Sequence, residues 1–164
     1  MPAKPKPILQ GFYSVTPYMT LNDAARAIDF YKRAFGAQEV MRMEAPNGKI
    51  GHAEIKIGDS VIMLGDEMPG SLSRSPQSLG ANTGGIFIYV DNADAVFNQA
   101  VAAGAQVEMA LADMFWGDRY GRLKDPFGHS WSVATHIEDV APAEMQKRMQ
   151  EAMAKMAPQT KSAH

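Results

Sequence analysis

Gly36-Ala37-Gln38 and Gly104-Ala105-Gln106 each close a stretch of helical periodicity and open a run of three strand-like segments. The two helix-closing glycines stand 68 residues apart, and the later turn glycines Gly58 and Gly128 stand 70 apart. Two successive signals thus keep nearly one register, which points to a duplicated βαβββ unit and to a cleft shared between its halves. The fold class expected is α+β.

Outward from the first of these glycines, residues 15–21 read as a strand and 23–35 as a helix, with Asn22 able to cap it. Ala24, Ile28, Tyr31 and Phe35 fall at spacings of four, three and four, which places them on one helical face. Strands are expected over 38–44, 51–57 and 60–65, divided by the turn signals Asn47-Gly48 and Gly58-Asp59. In the second pass Ile86-Phe87-Ile88-Tyr89-Val90 reads as a strand, and Asp91 caps a helix with its stripe at Ala93, Val96, Phe97, Ala100 and Val101. Strands over 106–114, 121–124 and 129–135 follow, with turns at Gly117-Asp118 and Asp125-Pro126-Phe127-Gly128. Residues 68–84 are rich in Ser, Gly, Pro, Asn and Gln and read as an exposed linker.

The expected division is therefore a flexible arm (1–11), a first module (12–67), the linker (68–84), a second module (85–138), an amphipathic helix (139–156) and a disordered tail (157–164). In that helix Met145, Met149, Met153 and Met156 form a stripe that suits docking on its own subunit or on a dimer mate. Methionine's deformability leaves a protein-partner surface open as an alternative.

A chain of 164 residues is long enough to bury roughly 68–70% of its unfolded surface, so its core needs no covalent staple. Without cysteine it has no disulfide, thiolate metal site or cysteine nucleophile, and a cytoplasmic location is expected. Sixteen basic residues against eighteen acidic ones, with no basic stripe, argue against nucleic acid. No run reaches the roughly 18 apolar residues of a membrane span, and no apolar stretch behind the Lys/Pro-rich start suggests a signal peptide. There is also no Gly-rich phosphate loop and no Gly-x-Ser-x-Gly elbow.

The duplicated unit, together with Phe30-Tyr31 ahead of Phe35-Gly36 and Asp125-Pro126-Phe127-Gly128-His129, resembles the vicinal oxygen chelate superfamily. That group comprises glyoxalases, bleomycin- and fosfomycin-resistance proteins and ring-cleaving dioxygenases. Gly51-His52-Ala53-Glu54-Ile55 and Gly117-Asp118-Arg119-Tyr120-Gly121 are most similar to its PhnB-like branch. The resemblance implies two modules curled into a cup, with a divalent metal held by first- and last-strand side chains. Such a metal acts as a Lewis acid on paired substrate oxygens. Carried onto this chain, the four ligand positions fall at Thr16, Ile62, Gly85 and Ser132, none of them an imidazole or a carboxylate.

The expectation is accordingly no cofactor, and a small-molecule ligand bound between the modules of a homodimer. Tyr18, Trp116 and Trp131 would stack on it, and Arg119 would pair with an acidic group. Tyr120 and Ser132 belong to the same expected lining, as do His52 and Glu54, which alternate on one strand face, although with Lys56 continuing the alternation a solvated face is the plainer reading of that pair. A metal-dependent lyase, isomerase or dioxygenase with ligands relocated to His52, Glu54, His129 or His136 is the alternative. A scaffold acting through the methionine helix is another.

Overall fold

In the computed structural model, which describes residues 5–156, the helices and strands alternate as two similar units. The first holds β1 (Tyr18–Leu21), α1 (Ala24–Phe35), β2 (Gln38–Glu44), β3 (Ile50–Ile57) and β4 (Ser60–Asp66). A short α2 (Pro76–Leu79) precedes the second: β5 (Gly85–Tyr89), α3 (Ala93–Ala103), β6 (Gln106–Asp113), β7 (Asp118–Lys124) and β8 (Ser130–His136). The chain ends in α4 (Pro142–Met156). The sheets run β1-β4-β3-β2 and β5-β8-β7-β6, with β1 and β5 parallel to their neighbours and every other pairing antiparallel.

α1 and α3 each lie against one face of their own sheet. Ala24, Ile28, Tyr31 and Phe35 are all buried, as their spacing predicts. The cap is Asp23 rather than Asn22, its carboxylate accepting from Arg26 N at 3.1 Å. Gly36 then closes α1 in the left-handed region, with φ 66°. On α3 the cap shifts likewise, from Asp91 to Asn92, and Val101 turns outward while Ala93, Phe97 and Ala100 pack inward.

One core spans both units. Trp131 of β8 is fully buried, its ring 4.4 Å from that of Phe35 and 5.1 Å from that of Tyr31, so the second sheet reaches into the first unit's helix. Asp125 bolts this contact together. Its Oδ2 accepts from Tyr31 Oη at 2.7 Å and Trp131 Nε1 at 2.9 Å, and its Oδ1 accepts from the backbone N–H groups of Phe127 and His129, each at 2.9 Å. Burial and the neighbouring Asp125 charge hold the Tyr31 hydroxyl well above its ordinary pKa.

Several boundaries differ from the sequence reading for physical reasons. β1 starts at Tyr18, not residue 15, because Pro17 has no N–H to donate to the ladder and contributes only its carbonyl, to Met63 N at 2.9 Å. β7 begins three residues before Gly121, at Asp118, where the buried carboxylate pins its end. The linker is not bare: Ser75, itself fully buried, caps α2, donates its backbone N–H to Glu67 at 2.9 Å and its hydroxyl to Asn22 at 3.1 Å. That backbone hydrogen bond, with help from Ser78 and Arg74, holds the Glu67 carboxyl down at about 2. The expected disorder of 157–164 lies outside the described residues, as do the first four residues of the expected arm.

Candidate functional site

Strand alternation leaves a second face on each sheet, away from its helix. On the first sheet this open face carries Tyr18, His52, Glu54 and Met63, which the registers Tyr18↔Met63 and Glu54↔Met63 bring side by side. His52 Nε2 lies 3.3 Å from Glu54 Oε1, and the Tyr18 ring centroid is 5.8 Å from that of His52. Gly65 makes this possible, since a Cβ there would sit 3.0 Å from the Tyr18 hydroxyl. The paired His52 and Glu54 expected from their spacing are thus together on one face.

The open face of the second sheet is aromatic. Phe87 stacks on Tyr120 at 5.6 Å and 27° and meets Tyr89 at 5.0 Å, while Trp116 stands edge-on to Tyr120 at 5.5 Å. Tyr120 Oη and Ser132 Oγ share a hydrogen bond of 3.1 Å. Beneath this surface Asp118, almost wholly buried, accepts at 2.9 Å from each of Tyr89 Oη, Trp116 Nε1 and His136 Nδ1. Burial pushes Asp118 up, but those three donors together outweigh it and hold the carboxyl below its ordinary value. The same hydrogen bond, helped by burial, raises the Tyr89 hydroxyl, which therefore stays neutral.

Between the units lies a cavity of about 770 Å³. Phe12, Thr16, Val61, Phe87 and Tyr89 are among its walls, so both units and the segment before β1 contribute. A neighbouring pocket of about 450 Å³ on the second open face shares Ile86 and Phe87 with it and adds Tyr120, Arg122 and Ser132.

Two expected ligand contacts are corrected. Trp131 belongs to the core, not to the lining: Ser130 and Ser132 take the open face, and strand alternation sends Trp131 the other way. Arg119 is already committed. Its Nε and Nη2 donate to Asp94 at 2.8 and 2.7 Å and its Nη1 to Asp113 at 3.2 Å, which raises its pKa further and leaves no vacant fork for a ligand. The missed residues are Phe87, Tyr89 and Arg122. Alternation held the signal, since residues 87 and 89 oppose the core residues Ile86 and Ile88, and Arg122 stands two after Tyr120.

Of the four positions that the resemblance equips with metal ligands, the second moves by one residue. Ile62 points into the core and Met63 takes the place beside Tyr18. The set Thr16, Met63, Gly85 and Ser132 offers hydroxyls and a thioether, which does not fit the imidazole and carboxylate donors that hold Zn, Ni, Mn or Fe. At Gly85 the mismatch is steric as well, because a Cβ would lie 2.9 Å from Ser130 O. The other candidate donors do not converge: His129 Nε2 lies 2.9 Å from Thr20 O, and His136 sits between Asp118 and Asp139. Among the described residues no three His, Asp or Glu side chains gather as a metal-binding group. No described helix is long and apolar enough to cross a membrane.

Comparison with known proteins bears on this geometry. The family model described as "Glyoxalase/Bleomycin resistance protein/Dioxygenase superfamily" matches residues 15–133. An uncharacterized protein of Mycobacterium tuberculosis is 43% identical over 139 residues, covering 83% of this chain and 82% of that protein. Among solved structures, protein PA1353 from Pseudomonas aeruginosa superposes with a TM-score of 0.63 at 26% identity, covering 77% of this chain and 99% of that one. A PhnB protein from Bacillus cereus shares the fold, with a TM-score of 0.59 at 18% identity over 75% of this chain and 99% of that one.

Proposed function

Because the chain belongs to the glyoxalase/bleomycin resistance protein/dioxygenase superfamily, we propose that it binds a small organic molecule in the inter-unit cavity without that group's usual metal centre. The observation that carries this reading is the cavity itself. About 770 Å³, walled by Phe12, Phe87 and Tyr89 and continuous with the stacked Phe87–Tyr120 pair, it suits a flat, largely apolar ligand. Retention then rests on stacking and exclusion of water rather than on coordination.

The side chains supply what such binding needs. Asp118 fixes the Tyr89 hydroxyl and the Trp116 N–H in place, so both rings are held before a ligand arrives. On the first sheet His52 and Glu54 add a polar pair able to hydrogen-bond a ligand group. The open faces also expose Met43, Phe87 and Met109, and a second copy of the chain covering them in the cytoplasm completes the reading.

A thermal-shift screen of small aromatic compounds tests the proposal. Compounds that raise the melting temperature of the wild type should lose that effect in Phe87→Ala, a substitution at an exposed site that the fold tolerates. A flat screen, or ligand shifts unchanged by Phe87→Ala and Trp116→Ala, would overturn it.

A further inference from the structure

We propose that the pocket on the open face of the second sheet selects aromatic carboxylates, with Arg122 as the group that holds the acid. This deepens the binding reading above and rests on it. Arg122 lines the pocket of about 450 Å³ together with Phe87, Tyr120, Ser130 and Ser132, so a planar cation, two hydroxyls and a phenol stand around an aromatic wall.

The charge pattern sets Arg122 apart from Arg119, three residues earlier on the same strand and on its opposite face. Arg119 spends three donors on two aspartates. Arg122 has one ionic contact among the described residues, Nη2 to Glu108 at 3.3 Å, and its side chain is half exposed. A guanidinium presents five N–H donors in a fixed fork, so most of that fork remains to be filled by a carboxylate in the two-pronged geometry it favours.

The hydroxyls point the same way. Tyr120 Oη and Ser132 Oγ are 3.1 Å apart, and when the phenol donates, the serine proton is released toward the pocket. Ser130 Oγ donates to Glu108 at 3.4 Å, so Glu108 occupies both Ser130 and Arg122 in the absence of a ligand. Glu108 is thus the internal competitor: a ligand acid takes over the contacts that this carboxylate makes. The ring of the ligand lies against the Phe87–Tyr120 stack, whose 27° interplanar angle leaves a nearly continuous aromatic surface. Ser132, on the strand beside Gly85, adds its hydroxyl to the same wall.

The test compares 2-naphthoate with its neutral isostere 2-naphthamide by isothermal titration on the full chain. Wild-type protein should prefer the acid by about tenfold, the scale of a charge-assisted pair. Arg122→Gln should abolish that preference while leaving amide affinity within about twofold, since a rim charge contributes mainly to ionic recognition. Glu108→Gln should strengthen naphthoate binding by several-fold by removing the competitor. Amide binding equal to acid binding in the wild type, or an acid preference that survives Arg122→Gln, overturns the assignment of Arg122 and leaves the binding cavity standing. Failure of both compounds to bind, with Phe87→Ala indistinguishable from wild type, overturns the acid pocket and the binding reading together.

Discussion

Asp125 joins four donors from three places in the chain, and two of them, Tyr31 Oη and Trp131 Nε1, are buried side-chain groups aimed at its carboxylate. Asp125→Ala strands both, and each stranded buried donor costs about 1–3 kcal/mol, so a loss of about 2–5 kcal/mol is expected in urea unfolding. A loss below 1 kcal/mol, on the order of an ordinary surface substitution, would show that the carboxylate is not what joins the units. Gly85 makes a second prediction at this scale. Installing the missing imidazole, Gly85→His, forces a Cβ to within 2.9 Å of a backbone oxygen. We expect destabilisation of about 1–3 kcal/mol and no stoichiometric metal by elemental analysis. A stable Gly85→His protein that takes up one metal would contradict the steric account.

Among the elements, the connector from β8 to α4 carries the clearest dependence on pH. Both ring nitrogens of His136 lie 2.9 Å from carboxylate oxygens, Nδ1 from Asp118 and Nε2 from Asp139. A neutral imidazole has one N–H, so both contacts are hydrogen bonds only in the cation. The Asp139 contact and then the Asp118 contact raise the His136 pKa above its ordinary value of about 6.5. With the folded pKa raised, the stabilisation is complete below about pH 6.5 and is lost as pH rises through the folded value. The same connector passes so close to Gly117 that a Cβ there would collide with Glu138 O, and Arg148 of α4 grips Glu138 through two hydrogen bonds of 2.8 Å. Hydrogen exchange across residues 137–156, corrected for its intrinsic pH dependence, should therefore quicken from pH 6 to pH 8.5, and His136→Gln should flatten the difference. An unchanged pH profile in His136→Gln would remove the clamp from the account.

The same scale shows what could be read from sequence. The strands and helices were legible because Ala24, Ile28, Tyr31 and Phe35 keep one face and Gly36 and Gly104 stop their helices. What failed was phase on the strands, where a slip of one residue exchanges faces. Thus spacing points to Ile62 where Met63 stands, and alternation sets Trp131 opposite Ser130 and Ser132 without telling which of the two faces is the open one. Arg119 is hidden from sequence for another reason: its partners Asp94 and Asp113 lie 25 and 6 residues away, in segments that only the packing of α3 and β6 brings to β7. The methionine stripe of α4 was legible as a pattern, but no residue of α4 is buried, and Met153 and Met156 face outward.

At the scale of the whole molecule, two open sheet faces carry exposed Met43, Phe87 and Met109, apolar side chains that a second copy of the chain would cover. Sedimentation equilibrium should give twice the chain mass, and Met43→Glu should move it toward the single-chain mass. A wild type that is monomeric at micromolar concentration would leave the cavity to a single subunit. The central claim is that the inherited cavity binds without the inherited metal, since Thr16, Met63, Gly85 and Ser132 offer none of the usual donors. It is tested most directly by titrating 2-naphthoate into protein stripped with chelator, and again after addition of Zn, Ni, Mn or Fe. Equal affinity in every arm is the result predicted; binding that appears only with a stoichiometric metal, and is lost in His52→Ala, would contradict the account.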